Sequence, residues 1–313
     1  MISEIILLPF LTWLFLRVLY PLISTIINYK FGAKHWSARP WLRLSGDWAV
    51  VTGACGLLGR AYSCELASEK LNVLLIDADR GSLNELAADI DQKYGVRTKI
   101  TVADLTTTKD YDEITKSIDS LPSIGCVVNA AELRPRPRVQ PQTRDNLMES
   151  FDFIERMAIC NMQSMALITR LCLVKMLRQP PSRAAIINVS SSLAWIPCPN
   201  YPLYAASKSF VFAFSRAIRA ELRLPFIIVQ SVHPGPLNCD QAPDFVRKTS
   251  TILAPSPTTF VQSALDMLGV EDETSGYFPH AIWSLVMTYL PQSLVKKFSL
   301  TLNKATACTR KIR

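Results

Sequence analysis

The chain has no paired cysteines: its eight are scattered singly, with no C-x-x-C and no even spacing. That excludes a disulfide framework and a C-x-x-C zinc site, and reads the thiols as buried hydrophobes of a reducing compartment. No internal repeat and no low-complexity tract is present, so solenoids, propellers and long disordered linkers are excluded as well. Charge of one sign is in excess, +8 over 313 residues, but it is spread along the chain. It falls on Lys30, Lys34, Arg39, Arg43, Arg134, Arg136, Arg138, Lys296, Lys297 and the last residues, without the interleaved aromatics of a nucleic-acid groove. No nucleic acid is expected as a partner; anionic lipid headgroups or an acyl-CoA phosphate suit the excess better, and an ordinary solvated surface suits any single one of these residues.

Charge is also nearly missing at the amino end. Glu4 is the only charged side chain before a run from Ile5 to Ile27 that is almost wholly apolar, interrupted by Pro9, Arg17 and Pro21. The run has about the length of a bilayer-spanning helix. A central Arg costs roughly 2.5–3.5 kcal/mol, which Leu, Ile and Phe residues at about −0.3 to −0.6 kcal/mol each can offset. With no basic stretch ahead of it and no small-residue cleavage site, the run is not a secretory signal. It reads as a spanning anchor, with an interfacial helix as the alternative. The cations at 30–43 follow directly and orient the remainder of the chain to the cytosol. The ending Arg310-Lys311-Ile312-Arg313 resembles a dibasic retrieval signal of the endoplasmic reticulum, which only a cytosolic tail can present. The expected organisation is a membrane anchor over 1–29, a basic juxtamembrane linker over 30–44, an α/β domain over 45–278, and an extension over 279–313. In that extension Trp283, Met287 and Tyr289 suggest substrate entry or membrane contact, or else a plain core helix.

Within 45–278, short β-branched runs alternate with helical ones. Strands are expected at about 48–52, 73–77, 99–103, 126–130, 185–190 and 227–233. The alternation predicts a doubly wound parallel sheet, a Rossmann fold, with ligands at the carboxyl ends of the strands. The first strand runs into Thr52-Gly53-Ala54-Cys55-Gly56-Leu57-Leu58-Gly59 and then a helical run. Such a turn lets backbone amides and a helix N-terminus approach a pyrophosphate. Asp77 ends the second strand, where a carboxylate hydrogen-bonds adenosine ribose hydroxyls and repels a 2′-phosphate. This favours NAD. Arg80 leaves NADP open.

Tyr204 and Lys208 are four residues apart, so on a helix they share a face. A cation beside a phenol lowers a pKa that is otherwise near about 10, making the tyrosine a proton donor and acceptor near neutrality. Ser191 lies upstream at the end of the fifth strand. Asn161 lies midway along a helical stretch expected from about Asn146 to Met176.

Together these residues resemble the short-chain dehydrogenase/reductase family over roughly Ser45 to Gly276. Gly59-Arg60-Ala61-Tyr62-Ser63, Val229-Gln230-Ser231-Val232, Pro255-Ser256-Pro257 and Gly276-Tyr277 with His280 are similar to its membrane-bound 17β-hydroxysteroid dehydrogenases of types 3 and 12 and the very-long-chain 3-oxoacyl-CoA reductases. The resemblance implies a catalytic tetrad of Asn161, Ser191, Tyr204 and Lys208. It implies a nicotinamide cofactor, NAD or NADP, held by Thr52, Gly53, Gly56, Leu57, Leu58, Gly59, Asp77, Asp104, Asn129, Tyr204, Lys208, Pro234 and Gly235. It further implies a lipid substrate (hydroxysteroid, 3-oxoacyl-CoA or retinoid), no metal, and a possible homodimer through the helices at 146–176 and 201–223.

The pattern has departures. Leu57 stands where this branch carries its second turn glycine, so the turn reads T-G-x-x-G-x-x-G. Val128 and Ala131 replace an Asn and a Gly, and Cys239 stands where a Thr often contacts the carboxamide, with Asn238 beside it as a substitute. These changes keep a second class of function open, a membrane-tethered binding or scaffold protein with weak or no catalysis. Two loops, Glu132 to Thr143 and Leu237 to Pro255, are expected to shape the substrate pocket.

Overall fold

The computed structural model describes residues 11–135, 150–179, 183–196, 198, 201–222, 226–238, 252–291 and 293–295. Seven strands form one parallel sheet in the order β3-β2-β1-β4-β5-β6-β7. They are β1 (Trp48–Thr52), β2 (Asn72–Asp77), β3 (Thr98–Val102), β4 (Ile124–Asn129), β5 (Ala184–Val189), β6 (Ile227–Val232) and the two-residue β7 (Glu273–Thr274). The expected doubly wound sheet is thus observed. β7 was not expected, being too short to carry a periodic signal.

Side chains of each strand alternate between two cores. Ala49, Val51, Val73 and Leu75 face one core, with Leu66 of α2 (Leu57–Ser68), Leu86 of α3 (Arg80–Tyr94) and Phe260 of α7 (Pro257–Asp266). Val50, Leu74 and Ile76 face the other, with Ile114 of α4 (Tyr111–Asp119), Ile168 of α5 (Phe151–Arg178) and, at its edge, Ile218 of α6 (Pro202–Leu222). Caps fix the helix starts: Asp79 accepts from the amides of Gly81 and Ser82 ahead of α3, and Ser256 accepts from Thr259 ahead of α7, whose first residue is Pro257. The helix expected from Asn146 is described from Phe151; residues 146–149 lie outside the described residues. It is also not uniform, because Ile159–Ser164 winds as a π-turn.

The N-terminal helix, α1, covers 11–35 and is long and apolar enough to cross a membrane. Its leading half exposes Leu11, Trp13, Phe15, Leu16, Leu19 and Ile23. Pro21 does not break it: Phe15–Leu19 forms a π-turn, with the Tyr20 amide donating to the Phe15 carbonyl, and this accommodates the missing proline amide. α5 also has that length and composition, but its inner face is core.

The stretch expected to be a basic linker is welded to the domain. Arg39 donates to Glu69 at 2.7 Å, to Glu65 at 2.8 Å and to Asp266 at 3.0 Å, and Arg43 donates to Glu69 at 2.7 Å. These two cations, read from sequence as candidates for lipid headgroups, are engaged within the protein. Burial opposes the charge on Glu69, but the two guanidiniums outweigh it and hold its carboxyl below the usual range. Upstream, Asn28 donates to Glu271 at 3.1 Å and Tyr29 bonds Thr274 at 2.8 Å, so the end of α1 is fixed beside α8 (Phe278–Tyr289).

Candidate active site

Thr52, Gly53, Asp77, Asn129, Ser191 and Pro234 all lie at or just beyond the carboxyl ends of the strands. On the β1 side the site is made of backbone. Gly53 has φ +61°, and a Cβ there would meet the Ala131 Cα at 2.7 Å; a Cβ on Gly59 would meet the Gly53 carbonyl oxygen at 1.9 Å. Only glycine permits this close approach of turn, helix and β4 loop. Gly56 is the N-cap of α2 and no side chain caps it, which leaves the first amides of the helix, at Leu57, Leu58 and Gly59, without an intrahelical or capping acceptor. The Leu57 side chain is 40% exposed. It therefore stands in solvent and does not fill the turn.

Asp77 supports this turn from β2. Its Oδ2 accepts from the Cys55 amide at 2.9 Å and its Oδ1 from the Ala78 amide at 2.7 Å. A carboxylate oxygen has two lone pairs, so capacity for ribose hydroxyls remains. Burial, then Asp77, pushes the Cys55 thiol up to about 11, so it is an inert thiol at neutral pH. Asp104 closes its own loop, its Oδ1 accepting from the Thr106 amide at 2.8 Å. Thr52 Oγ1 accepts from the Ala131 amide at 3.2 Å. The Asn129 amide group is buried and donates to Thr169 and Asn188, both at 2.8 Å, bracing β4 against α5 and β5. A glycine cradle that a Cβ would fill, an uncapped helix start and a strand-end acid fit a dinucleotide.

On the β5 side the site is made of side chains. α6 carries Tyr204 and Lys208 on one face, 6% and 2% exposed, with the ammonium 5.6 Å from the ring centroid. Lys208 donates to the Val189 carbonyl at 3.1 Å. Ser191 accepts from the Leu193 amide at 3.2 Å and lies beside the Tyr204 phenol. Asn161 sits in the π-turn of α5, a distortion that recurs at functional sites. Its Oδ1 accepts from the Leu133 amide at 2.7 Å, while its Nδ2 donates to the Leu133 carbonyl at 3.1 Å and to Ser207 at 3.0 Å. Ser207 in turn donates to the Tyr204 carbonyl at 2.8 Å. Asn161 thereby ties the β4 loop to the helix that carries the tyrosine.

Such a strand-end site, half backbone cradle and half buried tyrosine and lysine, has counterparts among known proteins. Residues 47–249 match the short chain dehydrogenase family. The chain belongs to the short-chain dehydrogenase family. A very-long-chain 3-oxoacyl-CoA reductase of Anas platyrhynchos is 36% identical over 291 residues, covering 90% of this chain and 87% of the relative. A 17-beta-hydroxysteroid dehydrogenase type 3 of Danio rerio is 36% identical over 253 residues, covering 79% and 78%. Among solved structures, a 7beta-hydroxysteroid dehydrogenase superposes with a TM-score of 0.64 at 23% identity, covering 75% of this chain and 88% of that one, and so shares the fold. This short-chain dehydrogenase is an NAD(P)-dependent oxidoreductase acting on CH–OH groups.

Sequence reading gave several residues of the site no role there. Glu132, named only as the start of a loop, inserts its carboxylate among the tetrad: Oε2 accepts from the Tyr204 phenol and from the Lys208 ammonium, each at 2.9 Å. Its Oε1 pairs with Arg134. Burial alone would raise the Glu132 pKa, but Lys208 and Arg134 pull it down to about 2. Burial, and then Glu132, push the Tyr204 pKa up, so the phenol keeps its proton. No local signal marks it, since an acid three residues past the end of β4 reads as the start of a surface loop. His280 of α8 accepts from the Gly235 amide at Nδ1, 3.2 Å, and donates from Nε2 to the Leu253 carbonyl at 3.2 Å, backing the Pro234-Gly235 pair. His233 packs under Trp195 with centroids 4.3 Å apart, and burial lowers its pKa to about 3.

Beyond Ser191 opens a cavity of about 290 Å³ between the segment after β5 and α8, lined by Ser192, Trp195, Trp283, Met287, Leu290 and Val295. Of the two loops expected to shape the pocket, residues 136–149 and 239–251, Cys239 among them, lie outside the described residues. Arg136, Arg138 and the basic carboxyl-terminal tail also lie outside them.

Proposed function

We propose that this dehydrogenase interconverts a ketone and a hydroxyl on a lipid of the hydroxysteroid or 3-oxoacyl-CoA type, at the cytosolic face of the endoplasmic reticulum membrane. The observation that carries the reading is the cavity that adjoins Ser192, is lined by Trp195, Trp283, Met287 and Leu290 together with the hydroxyls of Ser284 and Thr288, and is walled by α8 beside the fixed end of α1. A lipid leaving the bilayer along α1 would arrive beside α8, which walls that cavity. The relatives' names point to the same substrate chemistry.

In the proposed reaction Tyr204 is the general acid toward reduction, donating its hydrogen to the carbonyl oxygen, and the base toward oxidation. Ser191 donates a hydrogen bond to the same oxygen and orients it. Lys208 binds the nicotinamide ribose and, once so engaged, supplies the positive charge that lowers the phenol pKa. Asn161 is a positioning residue that fixes loop and helix relative to each other. Thr52, Gly53, Gly56, Leu57, Leu58 and Gly59 would hold the pyrophosphate, Asp77 the adenosine ribose, Asp104 the adenine, and Asn129, Pro234 and Gly235 the nicotinamide side; when bound, the nucleotide supplies or accepts the hydride. Asp77 favours NAD. Pairing of two copies through α5 and α6 is proposed on family analogy alone.

A screen of hydroxysteroids, retinoids and 3-oxoacyl-CoAs with both nucleotides tests the reading on full-length protein in lipid vesicles. Nucleotide-dependent turnover of at least one of these lipids is expected. Turnover of small water-soluble alcohols with none of the lipids would overturn it.

A further inference from the structure

The two groups that the chemistry needs free are both occupied by one atom of the protein itself. Glu132 Oε2 takes the Tyr204 hydrogen and a Lys208 hydrogen, each at 2.9 Å. A substrate oxygen requires the first of these donors, and a nucleotide ribose requires the second. The backbone on either side of Glu132 is pinned: Ala131 donates to Thr52 at 3.2 Å, and Leu133 is held by Asn161 through both its amide and its carbonyl. The backbone cannot drift, so the carboxylate has to move by its own side-chain torsions. Its second oxygen already has another partner in Arg134, whose side chain is 60% exposed and lies on the solvent side of the cluster.

We propose that Glu132 is a displaceable latch: in the nucleotide-free protein it holds Tyr204 and Lys208, and on nucleotide binding it releases both and stays paired with Arg134 alone. The inference rests on the dehydrogenase reading above. Its physical basis is exchange of partners. Lys208 is 2% exposed, and a cation that deeply buried is not left without an acceptor. Beside the Val189 carbonyl, Glu132 supplies its charged acceptor until ribose hydroxyls take that place. Release then costs an ion pair, which lowers nucleotide affinity relative to a site without the latch. The neighbouring titratable groups do not compete for the ammonium, since burial keeps His233 neutral and Cys160 a thiol. The low pKa of Glu132 keeps the latch charged throughout the neutral range.

Titration of full-length protein with NADH, followed by nucleotide fluorescence, tests this with four chains: unmodified, Glu132→Gln, Arg134→Ala and the double variant. Glu132→Gln is expected to bind at least about tenfold tighter, Arg134→Ala weaker than the unmodified chain, and the double variant like Glu132→Gln. In thermal unfolding, nucleotide-free Glu132→Gln is expected to melt lower than the unmodified chain, with a larger nucleotide-induced rise. If Glu132→Gln does not fold, Glu132→Asp, one methylene too short to bridge, is expected to tighten binding likewise. Binding by the unmodified chain with no tightening in either variant, or tightening by Arg134→Ala, overturns the latch and leaves the dehydrogenase reading standing. No binding by any of the chains overturns both.

Discussion

The two halves of the site are built from different materials. On the β1 side, the groups proposed to bind are backbone amides held by glycines that accept no side chain, with Asp77 fastened to the turn by two amides. On the β5 side they are charged and hydroxyl side chains, buried in a cluster whose members have more than one partner each. The first half is a rigid mould. The second is the half in which the proposed latch exchanges partners. Substitutions in the first are therefore expected to act on nucleotide binding, and those in the second on turnover and on coupling between residues.

The largest separation between the halves comes from Tyr204→Phe. Loss of the proton donor is expected to lower kcat by about 10²–10⁴-fold while the nucleotide dissociation constant stays nearly unchanged; retained turnover would remove Tyr204 from the chemistry. Lys208→Met is next. It leaves Glu132 with Tyr204 and Arg134 but without its buried ammonium partner, and denaturant unfolding is expected to show a loss of about 3–5 kcal/mol, largely recovered in Lys208→Met/Glu132→Gln. Simple additivity would show that the pair is not coupled. On the other side, Gly59→Ala forces a Cβ into the Gly53 carbonyl, so a stability loss of about 1–3 kcal/mol and weakened NADH binding are expected. An unaltered titration would contradict the mould. The smallest effect is expected from Asp77→Ser, which should narrow a preference of NAD(H) over NADP(H) in kcat/KM by about tenfold or less. Equal use of both nucleotides by the unmodified chain would refute Asp77 as the selector.

Acid should break the β5 side first. The pKa of His233 is about 3 in the fold against 6.5 when exposed, so the unfolded chain binds its proton earlier as pH falls. Its contribution is intact above about 6.5 and declines as pH falls toward 3. Glu132, with a folded pKa of about 2 against 4.5, adds its own loss as pH falls from 4.5 toward 2. Unfolding midpoints in urea between pH 7 and 4 should therefore drop, and His233→Gln should flatten that slope. A slope unchanged in the variant would exclude His233 as its source.

The mould was legible in the sequence, because glycine spacing, strand periodicity and a strand-end acid are local patterns. All six strands expected from periodicity formed within about two residues of their reading. The residues proposed as the tetrad were also read as types at spacings. Glu132 was not, since nothing local distinguishes an acid that reaches Lys208, 76 positions later, from an acid in a surface loop. Arg39 and Arg43 misled for the same reason. Read along the chain they are juxtamembrane cations, whereas in the fold Glu65, Glu69 and Asp266 converge on them. Charge pairing across distant elements is a tertiary property, and composition does not report it.

The most direct test is a titration of the unmodified, full-length protein in lipid vesicles with NADH and with NADPH, followed by nucleotide fluorescence. The account predicts saturable binding of both, NADH the tighter. Binding of neither nucleotide at millimolar concentration would contradict it, because the proposed tetrad without a nucleotide has no reaction to serve.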